Sequence, residues 1–511
     1  MNMDRRQYLK LAIATATVSV VAGCSELRRE GPTTPTPTPV TPEEPTTPTP
    51  ATTTSEREPG PDTGDSSVRY GISFDRVVNA VDDLGMDPTG TTPIDAALSG
   101  VLTNGTLVEF PAGKYFLRDP VEMKYIARWG IRGLGDVPTD VRFVSTPGEG
   151  KQLVKTDDGE GILVENVAFD YSETREGSLG LVLKVQDDLR VQDVHFVGFN
   201  PNVEEGGVVN LSPQALSPTG RAVVDGLVRT GPTDIRPHRH LPGPANEPGI
   251  VWLGKRHRGT LVVRNSHLEN GGENGIYASR TSGKVHVEDS LFRNNNQASL
   301  RIGGSGSHVK NCRFVVDTDN AHPDNENEFI NPHCILWETG QRGLSGGRIE
   351  GCSFVYTSVP KTPLVAIWAD GSAGAFTIAD TRFTIDVPGV QAIRVDDPRT
   401  PRLGKTAAKP WDVTLTNVLI EGSGSGVVPI VQIDGRPNST LSNTCLSVSN
   451  VTSAVRLTNS PGSSLQNINV SGRGKWLSGR QSDLVVQNVS YDRVCRSGSD
   501  VRLWSSDESD P

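Results

Sequence analysis

Three residues about two dozen positions apart, Trp252, Tyr277 and Arg301, each stand in a short apolar run: Gly249-Ile250-Val251-Trp252-Leu253-Gly254-Lys255, Gly275-Ile276-Tyr277-Ala278-Ser279-Arg280 and Ser299-Leu300-Arg301-Ile302-Gly303. If Ile276, Ala278, Leu300 and Ile302 point inward, strand alternation turns Trp252, Tyr277 and Arg301 outward as one column, with Lys255 and Arg280 beside it. The runs Ile393-Arg394-Val395, Val431-Gln432-Ile433 and Val455-Arg456-Leu457 extend the line through Arg394, Gln432 and Arg456. Aromatic faces beside cations suit an acidic sugar, the ring stacking on the pyranose while Arg grips the carboxylate with two hydrogen bonds. The expected substrate-binding set is therefore Trp252, Tyr277, Arg301 and Arg394. For catalysis, the cations Arg280, Arg301 and Lys255 would stabilise the enolate-like intermediate of a β-elimination. Tyr277, Lys255, His257 or a neighbouring Arg would remove the proton beside the carboxylate. The competing reading is structural: aromatic and long side chains also pack and solubilise any exposed strand face.

Residues so far apart meet only if the chain is layered, and the sequence carries such a repeat. The pattern is an aliphatic residue, any residue, Asn or Asp, two more residues, then a large apolar one. Its units begin at Val164, Val191, Val223, Val263, Val287, Val309, Ile349, Ile378, Leu415, Leu441, Leu465 and Val486. Gly351 is the one third slot that is not Asn or Asp, and the sixth slot holds six of the chain's 13 phenylalanines. A period of 21 to 29 residues, stretched to 40 by insertions, marks a solenoid whose units cannot bury their apolar faces alone. Units this short and this rich in Val, Gly, Asn and Ser fit three strands with tight bends. The expected fold is all-β, a single-stranded right-handed parallel β-helix in which slot stacks on slot at roughly 4.8 Å. The third slot is a bend that tolerates left-handed backbone. Asn488 falls on it, and reading that slot as inward predicts that its N-linked glycosylation sequon stays unmodified. The other sequons are Asn104, Asn210, Asn438, Asn450 and Asn469.

Two insertions flank the Tyr277 and Arg301 units. One is basic, with Arg236, His238, Arg239 and His240, and the other acidic, with Asp317, Asp319, His322, Asp324, Glu326, Glu328 and His333. Loops on one face of a solenoid often wall a site. Asp317, Asp319 and Asp324 offer hard oxygen ligands for Ca²⁺, but their spacing forms no closed calcium loop and none is required to explain an acidic surface loop. No zinc motif is present, so no metal or cofactor is expected.

The first residues read as targeting rather than fold. Residues 1–24 run from Asp4-Arg5-Arg6-Gln7-Tyr8-Leu9-Lys10 through an apolar stretch too short to span a bilayer to Val21-Ala22-Gly23-Cys24. The Arg pair resembles a twin-arginine export signal, and the last four residues resemble a lipoprotein cleavage box that would leave Cys24 lipidated. Residues 25–66 form a Thr/Pro-rich stalk unable to bury a core. The expected layout continues with a cap and first strands over 67–120, the β-helix over 121–500 and a tail over 501–511. A net charge of −10 with Arg prevailing over Lys resembles proteins of salt-adapted archaea. It argues against nucleic acid as a partner, since phosphate binding needs a basic surplus. Membrane contact is expected only through the lipid, at the outer surface of the cell. Besides Cys24 there are Cys312, Cys334, Cys352, Cys445 and Cys495, an odd number. Cys312 and Cys352 share the fourth slot of consecutive units and are expected as a buried thiol ladder.

Before the repeats, Thr92-Pro93-Ile94-Asp95-Ala96-Ala97-Leu98 reads as a capped helix start. Val108-Glu109-Phe110-Pro111-Ala112-Gly113-Lys114-Tyr115 reads as two strands around a turn. With Asp87-Pro88-Thr89-Gly90 upstream, this segment resembles the opening of pectin-lyase-like β-helix proteins, which include pectate lyases and polygalacturonase-type hydrolases. Together with the repeats the resemblance covers roughly residues 70 to 500. It implies the fold and a polysaccharide or glycan partner. The scaffold carries many activities, non-catalytic surface proteins among them. The hydrolase pattern would pair Asp residues with a downstream Gly-His-Gly, and this chain has Asp396-Asp397 without that tripeptide. Lyase-type degradation or simple binding of an acidic polysaccharide are the two activities in view, with a non-catalytic adhesin as the alternative.

Overall fold

A computed structural model describes residues 67–491, apart from 146–153, 173–179, 201–208, 236–248 and the single positions 327, 402, 403, 425, 427, 450 and 473. Cys24, the stalk, the tail, Cys495, Asn450 and the basic insertion with Arg236, His238, Arg239 and His240 lie outside the described residues. Among the described residues no helix is long and apolar enough to cross a membrane.

The chain is a parallel β-helix. Anchor residues pair in register from coil to coil, Val164 with Val191, Val263 with Val287, Val287 with Val309, Ile349 with Ile378 and Leu441 with Leu465. The ladder begins before the first repeat, since Val78 pairs with Val108, Val108 with Ile131 and Ile131 with Val164. Phenylalanines of the sixth slot lie one above another inside. Ring centroids are 5.1 Å apart for Phe292 and Phe314, 4.9 Å for Phe314 and Phe354, and 4.7 Å for Phe354 and Phe383, with planes inclined by 12° or less. This stacking follows from the strand spacing, which sets the ring separation.

The third slot makes the bend. Asn166, Asp193, Asn265, Asp289, Asn311, Asp380, Asn417, Asn443, Asn467 and Asn488 all have φ between 45° and 54°, and Gly351 has φ 64°. That left-handed turn is natural for Gly and tolerable for Asn and Asp. The side chains of this slot point outward, contrary to the inward reading. Asn488 is exposed and its Nδ2 donates to Asn467 Oδ1 at 3.1 Å, while Asn467 Nδ2 donates to Asn443 Oδ1 at 3.0 Å. Among the described sequons the buried asparagine is Asn210, whose amide donates to Tyr171 Oη at 3.0 Å.

Turning the chain at the third slot leaves the carbonyl of the second slot facing the fourth-slot side chain, and that side chain satisfies it. Ser266 Oγ donates to Arg264 O at 2.8 Å, Ser290 Oγ to Glu288 O at 2.7 Å and Thr381 Oγ1 to Ala379 O at 2.7 Å. Cys312 and Cys352 do the same through sulfur, at 3.3 Å to Lys310 O and 3.3 Å to Glu350 O. Both are free buried thiols, as is Cys334, whose Sγ donates to Tyr356 Oη at 3.3 Å. Cys445 is disulfide-bonded.

The repeat starting at Val223 is displaced by one residue. Val224 pairs with Val191 and Val263, Gly226 takes the left-handed φ of 73°, and Arg229 occupies the phenylalanine column between Phe196 and Leu268. Two adjacent valines made the register ambiguous in the sequence. The fully buried Arg229 guanidinium donates to Gly231 O and, at 2.8 Å, to Pro232 O. The N-terminal helix covers Asp95–Gly100 with Ile94 at its N-cap, while Pro93 ends the strand Thr89–Pro93. Thr92 is not the cap: its N–H donates to Asp87 Oδ2 at 2.8 Å instead. Ile94 and Leu98 anchor the helix in the core.

Candidate functional site: an outward ladder on one sheet

One parallel sheet carries the expected column. Its strands include Gly249–Trp252, Asn274–Tyr277, Ala298–Ile302, His333–Trp337, Leu364–Ala369, Val390–Val395, Val431–Asp434 and Ser453–Thr458. Backbone register places Trp252 beside Tyr277, Tyr277 beside Arg301, Arg301 beside Leu336, Leu336 beside Trp368, Trp368 beside Arg394, Arg394 beside Gln432 and Gln432 beside Arg456. Alternation puts Val251, Ile276, Leu300, Ile335, Ile367, Ile393, Val431 and Val455 in the core on the other face. The sequence reading missed Leu336, which lies in the 40-residue interval between Val309 and Ile349, and Trp368, which lies in the ordinary 29-residue interval that follows.

Aromatic and guanidinium groups interleave. Arg301 lies over the Tyr277 ring with its Cζ 4.3 Å from the centroid, Arg280 over the same ring at 5.4 Å, and Arg394 over Trp368 at 4.9 Å. Such contacts hold flat surfaces ready for a sugar face. Trp252 is the most open rung, 37% exposed, and lies across Gly254, where an added Cβ would meet the indole at 2.9 Å. Lys255 and Arg280 are exposed beside it.

A second column, two residues farther along each strand, was not anticipated. Glu338, Asp370, Asp396 and Asp434 follow Leu336, Trp368, Arg394 and Gln432 by two positions, so successive coils align four carboxylates. The signal was present as an acid at the second position after four consecutive outward residues. Arg301 donates to Glu338 Oε1 from Nε at 2.9 Å and from Nη2 at 2.6 Å. Asp396 accepts from Arg394 Nε at 2.7 Å and from Trp368 Nε1 at 2.8 Å. Asp370 Oδ1 accepts the Ser372 N–H at 2.7 Å.

These pairs revise the roles expected of single residues. Tyr277 is only 6% exposed and Arg301 only 8%, so Arg301 meets a ligand as a member of the Arg301–Glu338 ion pair. Its positive charge is largely balanced there, which removes it as an isolated stabiliser of an enolate. His257 is fully buried and does not face the strip. Its Nδ1 accepts the Ala215 N–H at 3.1 Å and its Nε2 lies 3.3 Å from Lys284 O, so it ties neighbouring coils together. The base role expected of His257 is withdrawn on that ground.

Burial pushes the His257 imidazole down to about 4, with the Lys284 carbonyl opposing the shift. An unfolded histidine titrates near 6.5, so the folded protein binds fewer protons here than the unfolded chain between those values. The stability contributed by neutral His257 is full above about pH 6.5 and is lost as pH falls toward 4. Thermal melts of wild type and His257→Gln across pH 7.5 to 4.5 should show a steeper acid loss for wild type. Parallel profiles would contradict the assignment.

The walls of the strip are only partly as expected. The described ends of the two insertions meet, with Ile235 N donating to Glu326 O at 2.9 Å and Thr233 N to Asn325 Oδ1 at 2.9 Å. They lie on the side where the chain enters this sheet. On the other side a turn at Gly340–Arg342 reaches over, Arg342 Nε donating to Arg280 O at 3.3 Å. In the acidic loop the Asp317 carboxylate is used locally, accepting from Asn320 Nδ2 at 3.0 Å on each oxygen and from Ser358 Oγ at 3.0 Å. His322 Nδ1 accepts the Asp324 N–H at 3.2 Å, and His333 sets its ring edge against Trp368 at 5.5 Å.

No protein-family model matches the chain, and no curated protein does. Among solved structures it is similar to the A-module of an Azotobacter vinelandii mannuronan C-5 epimerase, with 13% identity over 82% of this chain and 100% of that one and a TM-score of 0.45. A surface protein and adhesin of Streptococcus pneumoniae aligns at 14% identity over 81% of this chain and 100% of that one, TM-score 0.39. A tailspike of Escherichia coli bacteriophage HK620 aligns at 8% identity over 81% and 80%, TM-score 0.42. No residue role passes from any of them to this chain.

Proposed function

We propose that this protein binds an extended acidic polysaccharide along the ladder from Trp252 to Arg456, displayed outside the cell on a lipid-anchored stalk. The observation that carries the binding reading is the register of aromatic, guanidinium and amide side chains on one sheet face, interrupted only by Leu336. A polymer of repeating sugars needs repeated contacts at a regular rise, and stacked coils supply them. Lys255 and Arg280 stand exposed at the upper end of the line. The carboxylate column holds Arg301 and Arg394 in place by charge-assisted hydrogen bonds, so the exposed cations a uronate would meet first are Arg280 and Lys255. Anchoring through Cys24, with export by the twin-arginine route, rests on the sequence and is tested by radiolabelled lipid incorporation into wild type but not Cys24→Ser.

Affinity for a panel of uronate polymers, measured by calorimetry or retardation in polymer-loaded gels, tests the ladder. Substituting Trp252, Arg280 and Arg394 together by Ala should weaken binding of the preferred polymer at least about tenfold, each lost stacking or charge-assisted contact contributing roughly 1 kcal/mol. It should also flatten the dependence on salt. Unchanged affinity in a folded triple variant would refute the placement.

A second reading, lyase-type elimination, is favoured by Arg280 and Arg301 both lying over the Tyr277 ring. In that scheme Tyr277 removes the proton beside the uronate carboxylate while Arg280 faces the charge that develops. Ultraviolet absorbance of an unsaturated product, present with wild type and lost in Tyr277→Phe, separates it from binding alone. No product from any polymer, with binding retained, leaves the adhesin.

A further inference from the structure

On the sheet that carries the bends, His286 and His308 occupy the same position of adjacent coils, paired in register. Their rings stack with centroids 4.1 Å apart and planes inclined by 20°. Glu288, two residues after His286 on the same outward face, accepts from His308 Nε2 at 2.7 Å. One ligand atom from each of the three lies within 4.8 Å of the other two, the one such group of His, Cys, Asp and Glu among the described residues. The role of this trio is independent of the sugar ladder.

We propose that His286, Glu288 and His308 form a binding site for a divalent transition-metal ion of the zinc type, which clips two coils together. Two imidazoles and a carboxylate are the donor set that zinc accepts with a water in the fourth position. Metal–nitrogen bonds of about 2.0 Å require the three donors to draw together, a movement that falls to His308 and Glu288, whose side chains are partly exposed on the paired strands. The ion takes the place of the hydrogen shared by His308 Nε2 and Glu288 Oε1, and His308 carries its proton on Nδ1 instead. His286 Nε2 points at Gly306 O at 2.9 Å, a backbone contact that fixes its ring and leaves Nδ1 to the metal. The positive groups around the trio are Arg221, felt by His286, Arg264, felt by Glu288, Lys310, in register with Glu288, and Arg348, in register with His308 and paired with Glu350 at 2.7 Å. Arg264 is already paired with Asp225 at 2.9 Å, which limits its repulsion of a cation.

The test is calorimetric titration of the full chain, stripped with chelator, with zinc chloride, alongside Co²⁺ absorption as a reporter of nitrogen ligation. Wild type should bind a zinc ion that His308→Ala no longer binds. Glu288→Gln should weaken it at least about tenfold, and His322→Ala should change nothing. A visible Co²⁺ band should appear in wild type and vanish in His308→Ala. Absence of zinc binding by wild type, or the same affinity in His308→Ala and Glu288→Gln as in wild type, overturns the proposal. Should His308→Ala fail to fold by circular dichroism, the near-isosteric Glu288→Gln decides alone.

Discussion

Phe314→Ala should lower stability by about 3–5 kcal/mol, the usual cost of removing a buried aromatic ring whose surroundings cannot collapse. Phe314 lies between Phe292 and Phe354 at centroid distances of 5.1 and 4.9 Å and is completely buried. Strands above and below are held by their own backbone ladders, so neither neighbour can move into the gap without breaking register. Each coil in a solenoid is supported by its two neighbours, and the loss therefore weakens both interfaces of one layer. Guanidinium denaturation, or a thermal melt where unfolding is irreversible, should show a large downward shift. Phe314→Leu should fall between the two, because it keeps most of the apolar volume. A Phe314→Ala protein as stable as wild type would mean that the column is not a packed core.

Arg436→Met should cost about 3–5 kcal/mol as well, for an electrostatic reason. Arg436 is fully buried, and its guanidinium donates to Asp396 O at 2.9 Å, Ala373 O at 2.8 Å and Gly374 O at 2.9 Å. It thus fastens the turns that follow three strands of the ladder sheet. Burial pulls its pKa down to about 10, with the charges of Asp396, Asp397 and Asp370 opposing, so it stays positive at neutral pH. Methionine preserves much of the volume yet leaves three buried carbonyls without donors and the carboxylate column without its internal counter-charge. Arg436→Lys should not rescue the loss, because one ammonium cannot span carbonyls that a planar fork reaches in several directions. A melt reports the stability, and polymer binding should fall with it through displacement of Asp396 and its partners Trp368 and Arg394. Wild-type stability in Arg436→Met would show that the carbonyls find water instead.

Much of the candidate site was legible because a β-helix converts sequence period into spatial adjacency. Once the Asn/Asp bends and the phenylalanine slot were aligned, strand alternation alone placed Trp252, Tyr277, Arg301, Arg394, Gln432 and Arg456 on one outward line, and the backbone register bears that line out. The misses share a cause. Val223-Val224 allowed two registers, and an unexpected arginine in the core slot gave no apolar cue for the right one. Leu336 lay behind an insertion, while Glu338, Asp370, Asp396 and Asp434 looked like ordinary strand ends until their coils were superposed.

Period and slot chemistry by themselves determined the fold, because a left-handed bend and an apolar residue at fixed offsets are local demands that every unit states for itself. Tertiary structure alone decided which charges are available. That Arg301 is bound to Glu338, that His257 is locked between backbone groups and that Arg436 sits beneath the carboxylates depends on side chains from different coils competing for the same hydrogen-bonding groups. Pairing of that kind is a property of distances between layers, and a linear pattern of residue types does not contain them.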